Sequence, residues 1–146
     1  MNSKMAMPEL LAIFDHAPVG IVFVRGGLLQ HCNRRFCELS GYAEDEVFGQ
    51  RARVLYESEA EYGRLRRWAR EALLAGDPFD AEIPMRRRDG SLVYCRLHAA
   101  AVDRDNPREG TVWIVEDLEE QTRIRDELWN TQRDLEATFA AANVGI

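Results

Sequence analysis

A chain of 146 residues has room for one domain with a full core and an appendage. Its 46% hydrophobic and 30% charged residues, with three Trp and six Phe for packing, exclude a disordered chain. The net charge of -6 excludes a general basic surface for nucleic acid, and the local run Arg86, Arg87 and Arg88 reads as a solvated hairpin flank.

Pro8 suits an early helical position before Leu10, Leu11, Ile13 and Phe14, so a short amphipathic helix leads the chain. A strand over 21–25, the turn Gly26-Gly27 and a returning strand over 28–32 form a hairpin, because turns that match strand twist need positive φ. Asn33 caps a short helix that ends at Gly41, and a second covers 44–48, after which Gly49 lets the chain turn. Ala43 stands where a hydroxyl cap is common, which weakens the second helix by about 1 kcal/mol. After an irregular stretch, Ser58 and Glu61 form a capping box for a long helix. Tyr62, Leu65, Trp68, Ala69, Ala72 and Leu73 share one of its faces, and Gly76 and Pro78 stop it.

Phe79, Ala81, Ile83 and Met85 alternate with Asp80 and Glu82, as in a sheet with one wet face, and Pro84 marks this as an edge strand. Asp89-Gly90 turns the chain into a strand over 91–102, the polar stretch 103–110 loops out, and 111–116 forms a fifth strand. From Asp117 a final helix begins, with Glu120 three residues later. Gln121, Leu128, Leu135 and Ala142 fall at one heptad position and Ile124, Thr131 and Thr138 at the other, which describes a short coiled coil with mixed layers; a surface helix packed on its own domain is the alternative. Leu10 to Ile21 (LLAIFDHAPVGI) aligns with Leu135 to Ile146 (LEATFAAANVGI) at seven of twelve positions, an offset of 125 residues. That offset is a domain length, so tandem copies are expected, with residues 135–146 opening a second, truncated one.

Asn33-Arg34-Arg35-Phe36, Ser40-Gly41-Tyr42 and Glu46-Val47-Phe48-Gly49, in this succession of elements, resemble the PAS domain family. Arg88-Asp89-Gly90-Ser91 is similar to the family's charged Asp-Gly hairpin, and Val112 to Leu118 resembles its last strand leading into the Asp-Ile-Thr signalling motif. The motif residues are therefore Asn33, Phe36, Gly41, Gly49, Asp89 and Gly90. The resemblance implies an α+β PAS fold. Its five-stranded antiparallel sheet runs in order 2-1-5-4-3, helices cover one face, a small-molecule pocket lies between the layers, and a C-terminal signalling helix follows. The expected organisation is a lead-in over 1–9, the PAS domain over 10–118, a connector helix over 119–134 and the restart over 135–146. Arg53 to Tyr56 and Cys95 to Leu97 resemble bacterial tandem copies ahead of diguanylate cyclase or phosphodiesterase domains, linked to cyclic di-GMP; a histidine kinase is another effector that such modules precede. Glu119 departs from the family's threonine after Asp117-Leu118, which leaves open how the strand exit is tied to the core.

Catalytic signatures are missing: no GxSxG, HExxH, P-loop or dinucleotide glycine motif occurs, and a non-catalytic fragment is expected. His16, His31 and His98 lie far apart and form no metal-ligand spacing with the cysteines, so no metal site is expected. Cys32, Cys37 and Cys95 form no CxxC pair and fit unpaired thiols in a reducing compartment. No cofactor is expected. Haem is disfavoured because the long helix lacks the histidine that haem-binding members place there, and flavin because Gly49 is followed by Gln50-Arg51-Ala52-Arg53 rather than a cysteine motif. A small-molecule ligand is left open, with Phe23, Leu65, Trp68, Ala69, Ala72, Leu73, Tyr94, His98 and Trp113 as the candidate lining. Signal relay is assigned to Asp117, Leu118, Glu119, Ile124, Leu128 and Leu135. With no apolar signal core and no run of about 18 apolar residues, the segment is expected to be cytoplasmic and not to span a membrane. The expected function is a dimeric sensory and relay module acting on a downstream effector in the same chain. A ligand-free dimerisation spacer and a cofactor-based redox sensor remain as alternatives.

Overall fold

The computed structural model describes residues 6–120 and 123–129. The restart over 135–146, and Gln121, Thr131, Leu135, Thr138 and Ala142 of the heptad pattern, lie outside the described residues.

Helix α1 (Met7–His16) leads into the hairpin β1 (Gly20–Arg25) and β2 (Leu28–Cys32). Gly26 and Gly27 have φ of 61° and 77°, the mirror-image turn that two adjacent glycines permit. Helices α2 (Arg34–Ser40) and α3 (Glu44–Val47) follow, then a 3-10 turn (Ala52–Leu55) within the stretch read as irregular, and the long α4 (Glu59–Leu74). Ser58 Oγ accepts from the Glu61 N–H at 3.1 Å, one half of the expected capping box, and the Glu61 carboxylate does not return a bond to the Ser58 N–H. The Glu46 carboxylate accepts from the Ala43 N–H at 2.9 Å, while Ala43 has no hydroxyl to complete the reciprocal cap. The strands β3 (Phe79–Arg86), β4 (Leu92–Ala101) and β5 (Thr111–Asp117) complete an antiparallel sheet in the order β2-β1-β5-β4-β3. Pro84 sits in β3, an edge strand, where a missing N–H costs one fewer ladder bond.

Helix α2 docks on the sheet through Asn33, which is 1% exposed. Its Oδ1 accepts from the Phe36 N–H at 3.0 Å and the Ile21 N–H at 2.8 Å. Its Nδ2 donates to the carbonyls of Phe14 at 2.8 Å and Val19 at 3.0 Å. One amide thereby closes the N-terminus of α2, holds the start of β1 and anchors the end of α1. At Gly20, an added Cβ would lie 3.1 Å from the Phe36 Cα, so any other residue would require β1 and α2 to move apart by a few tenths of an ångström. The core then fills from both layers, with Phe36, Val93 and Cys95 fully buried.

Replacing Asn33 with alanine removes the side-chain partner of four backbone groups, one of them, the Phe36 N–H, buried and the other three partly buried. A loss of about 3 kcal/mol in urea-unfolding free energy is expected.

Candidate functional site

Strand pairing decides which side chains meet the helical layer. Val22 lies opposite Trp113, Gly20 opposite Val115, and Leu97 opposite Val115, so Val22, Trp113, Val115 and Leu97 share the inner face. Together with α4 and the 3-10 turn they enclose a cavity of about 660 Å³. Its wall includes Val22, Val24, Leu29, Phe36, Leu55, Tyr56, Leu65, Ala69, Leu73, Met85 and Trp113. The Trp113 indole N–H is already committed to Thr111 Oγ1 at 2.8 Å, which fixes the ring against the cavity.

Of the lining read from sequence, Leu65, Ala69, Leu73 and Trp113 face this cavity. Phe23 does not. It falls one residue out of phase with Val22 and Val24, so it points to the opposite sheet face, 6.3 Å from the Phe14 ring of α1. Tyr94 and His98 are corrected for the same reason: Cys95, Leu97 and Ala99 take the inner positions of β4, leaving the tyrosine 45% exposed and the histidine on the outer face. There His98 Nδ1 lies 3.6 Å from Asp80 and Nε2 3.7 Å from Glu116. Arg96 grips Asp80 with bonds of 3.2 and 3.1 Å and holds that carboxyl below its usual range.

Trp68 and Ala72 also leave the cavity. They occupy the flank of the α4 stripe that turns toward β3, where Trp68 is 54% exposed and meets Phe79 edge-on at 5.0 Å. Ala72 packs on the core without reaching the cavity. The opposite flank forms the mouth, where Tyr62 of the apolar stripe is continued by Arg66 and Arg70 at spacings of four, two residues the sequence reading left out of the lining.

At the strand exit, Asp117 Oδ1 accepts from the Glu120 N–H at 3.0 Å and caps the helix that runs through residues 118–120. Glu119 accepts from the Tyr94 N–H at 3.3 Å, so a carboxylate ties the exit to β4 where the family pattern has threonine. Glu120 pairs with Arg35 of α2. Residues 123–129 are again helical, with Ile124 and Leu128 exposed. The motif turns hold as read. Gly41 closes α2 in the left-handed conformation, Gly49 has φ of 79°, and Asp89 Oδ1 accepts from the Ser91 N–H at 2.9 Å across Gly90.

Two cysteines five residues apart, at the end of β2 and within α2, meet across the Asn33 cap: the Cys32 and Cys37 sulfurs lie 3.5 Å apart. A hollow of about 410 Å³ lined by Asp15, His16, Arg34, Cys37 and Glu44 opens beside them. Burial, reinforced by the neighbouring thiol, pushes Cys32 up to about 12, and burial also raises Cys37. Both are protonated near neutrality, which slows thiolate chemistry. Among the described residues no group of three His, Cys, Asp or Glu side chains could hold a metal ion, and no helix is long and apolar enough to cross a membrane.

A family model described as PAS domain matches residues 18–120. The chain belongs to the PAS domain family. The sensor protein TdiS of Thauera aromatica is 33% identical to this PAS chain over 124 residues, covering 85% of the chain and 23% of TdiS. The chain thus spans 23% of that relative's length. The PAS domain of a LuxR-family transcriptional regulator from Burkholderia thailandensis, solved in complex with ethanol, is 29% identical, with a TM-score of 0.66 over 74% of this chain and 96% of that one. A PAS domain from Colwellia psychrerythraea has a TM-score of 0.68 at 20% identity, over 75% of this chain and 94% of that one. The fold is that of a sensory, non-catalytic domain.

Burial pushes Cys95 up to about 12 as it does Cys32, and raises Tyr56 as well. Groups that are harder to ionise in the folded chain stabilise it fully below their unfolded values, near 9 for the thiols, and lose that contribution as pH rises through the folded values. The unfolding temperature is therefore expected to fall from about pH 9 toward pH 12, and to fall less steeply in the Cys32→Ala/Cys95→Ala variant, as read by a calorimetric pH series.

Proposed function

We propose that this PAS domain is a dimeric sensory and relay module whose cavity takes up a small molecule and whose exit helix carries the response to an effector in the same chain. The observation that carries this reading is the cavity of about 660 Å³ beneath α4, backed by the strand that leads out of the domain. That volume falls within the range of about 300–1,000 Å³ usual for small-molecule pockets. The ethanol complex of the Burkholderia PAS domain and the sensor role of TdiS support ligand sensing.

Relay follows from continuity. Trp113 and Val115 line the cavity on β5, and Asp117 at the end of the same strand caps the exit helix. Glu119 holds that helix to the sheet and Glu120 holds it to α2, so a ligand that shifts one layer against the other changes how both tethers can be satisfied together. A ligand biases the helix between two packings only by the difference in its interaction with each. The exposed Ile124 and Leu128 supply the apolar seam for pairing with a second copy, extended by Leu135 in the heptad pattern. The repeat at 135–146 supports a tandem arrangement in a cytoplasmic bacterial protein, ahead of a cyclase, phosphodiesterase or kinase effector.

Native mass spectrometry of freshly purified protein is expected to show an added mass that disappears on denaturation. Repeated ligand-free spectra from both native and recombinant sources would instead favour a packed spacer. In sedimentation experiments, the Leu128→Glu/Leu135→Glu variant is expected to shift from dimer to monomer; an unchanged oligomeric state and unchanged effector output would remove the relay.

A further inference from the structure

The cavity is charged on one side only. Arg66 and Arg70 of α4 and Arg108 of the β4–β5 loop line it, and no aspartate or glutamate does, in a chain whose net charge is -6. Among the described residues, four other arginines find carboxylates, Arg35 with Glu120, Arg53 with Glu59, Arg88 with Glu46 and Arg96 with Asp80, while Arg64 and Arg67 of the same helix do not, so the place of the three on the cavity wall is what sets them apart. The three cavity guanidiniums make no ion pair or side-chain hydrogen bond within the described residues. Deeper in, Tyr56 is only 8% exposed, lines the cavity, and its hydroxyl likewise has no hydrogen-bond partner among the described residues. A hydroxyl with no protein partner on the wall of a cavity is free to hydrogen-bond a ligand.

The geometry points to an amphipathic carboxylate as the ligand class: an apolar chain or ring inside the cavity, with its anionic head at the arginine-lined mouth. This assignment rests on the ligand-binding reading above and adds to it the charge of the ligand. Arg66 and Arg70 are four residues apart, about 6 Å along the helix axis, and Arg108 reaches the same cavity from the β4–β5 loop. Guanidinium donors suit a carboxylate better than a neutral hydroxyl, whereas a cationic head would meet only like charge. Leu65, Ala69 and Leu73 supply the apolar floor directly beside the polar row.

Three probes of equal length separate head-group charge from chain burial: octanoate, 1-octanol and octylamine, each titrated calorimetrically into this chain at neutral pH. Octanoate is expected to bind about tenfold more tightly than 1-octanol, and octylamine more weakly than either. In the Arg66→Gln/Arg70→Gln/Arg108→Gln variant the octanoate advantage is expected to shrink to about twofold with octanol affinity unchanged, and in Ala69→Trp all three are expected to lose binding. Raising salt to about 1 M should narrow the wild-type difference. Equal or tighter binding of the alcohol or the amine overturns the anion assignment while leaving an occupied cavity. An octanoate preference that survives the triple glutamine variant overturns the role of the arginines. If no probe binds the wild-type chain, both the assignment and the cavity reading fall.

Discussion

The fold turns on a single buried amide. Asn33 has two donors and an oxygen that accepts twice, and all four positions are used, each by a backbone group from a different place in the chain. The identity of the side chain is settled by those partners: two N–H groups need an acceptor and two carbonyls need donors, which neither aspartate nor a hydrophobe supplies. Because one bond goes to β1 and another to α2, the amide fixes the sheet against the helical layer. Gly20 then allows the close approach that this docking needs. The phase of β1 follows, with Val22 and Val24 toward the cavity and Phe23 away from it.

With the layers fixed at that end, the space between them is set by α4 and β5. The same strand supplies Trp113 to the wall and Asp117 to the helix cap, seven residues in all from Thr111. Its exit helix is held by two carboxylates with opposite allegiances, Glu119 to β4 and Glu120 to α2. Neither contact is strong, since partly exposed pairs contribute on the order of 0–1 kcal/mol. Small changes in layer packing can redistribute two weak, opposed tethers.

Burial treats the ionisable groups of the two layers differently. The thiols of Cys32 and Cys95 and the phenol of Tyr56 are kept neutral by desolvation, whereas the arginines at the mouth are exposed to solvent. The interior is therefore neutral and its entrance positive. The Cys32–Cys37 pair, although close enough to suggest redox chemistry, consists of two thiols whose ionisation is suppressed.

What the sequence by itself determined is what depends on near neighbours along the chain. The Asn33 and Ser58 caps, the Gly26-Gly27 and Asp89-Gly90 turns, the edge position implied by Pro84 and the cap at Asp117 are satisfied within a few residues, so composition and spacing reveal them. The strand order came from the family resemblance that the motifs carry, since spacing alone does not fix it. Tertiary structure alone decided which parity of β1 and β4 faces inward, because alternation marks two faces without saying which is covered, and both faces here carry apolar residues. It also set the rotation of α4, turning Trp68 outward and Arg66 and Arg70 to the mouth. An arginine over a cavity and an arginine in solvent look alike in one dimension. The Glu119 tether likewise joins residues 25 apart in the chain, brought together only by folding, and no local rule of spacing encodes it.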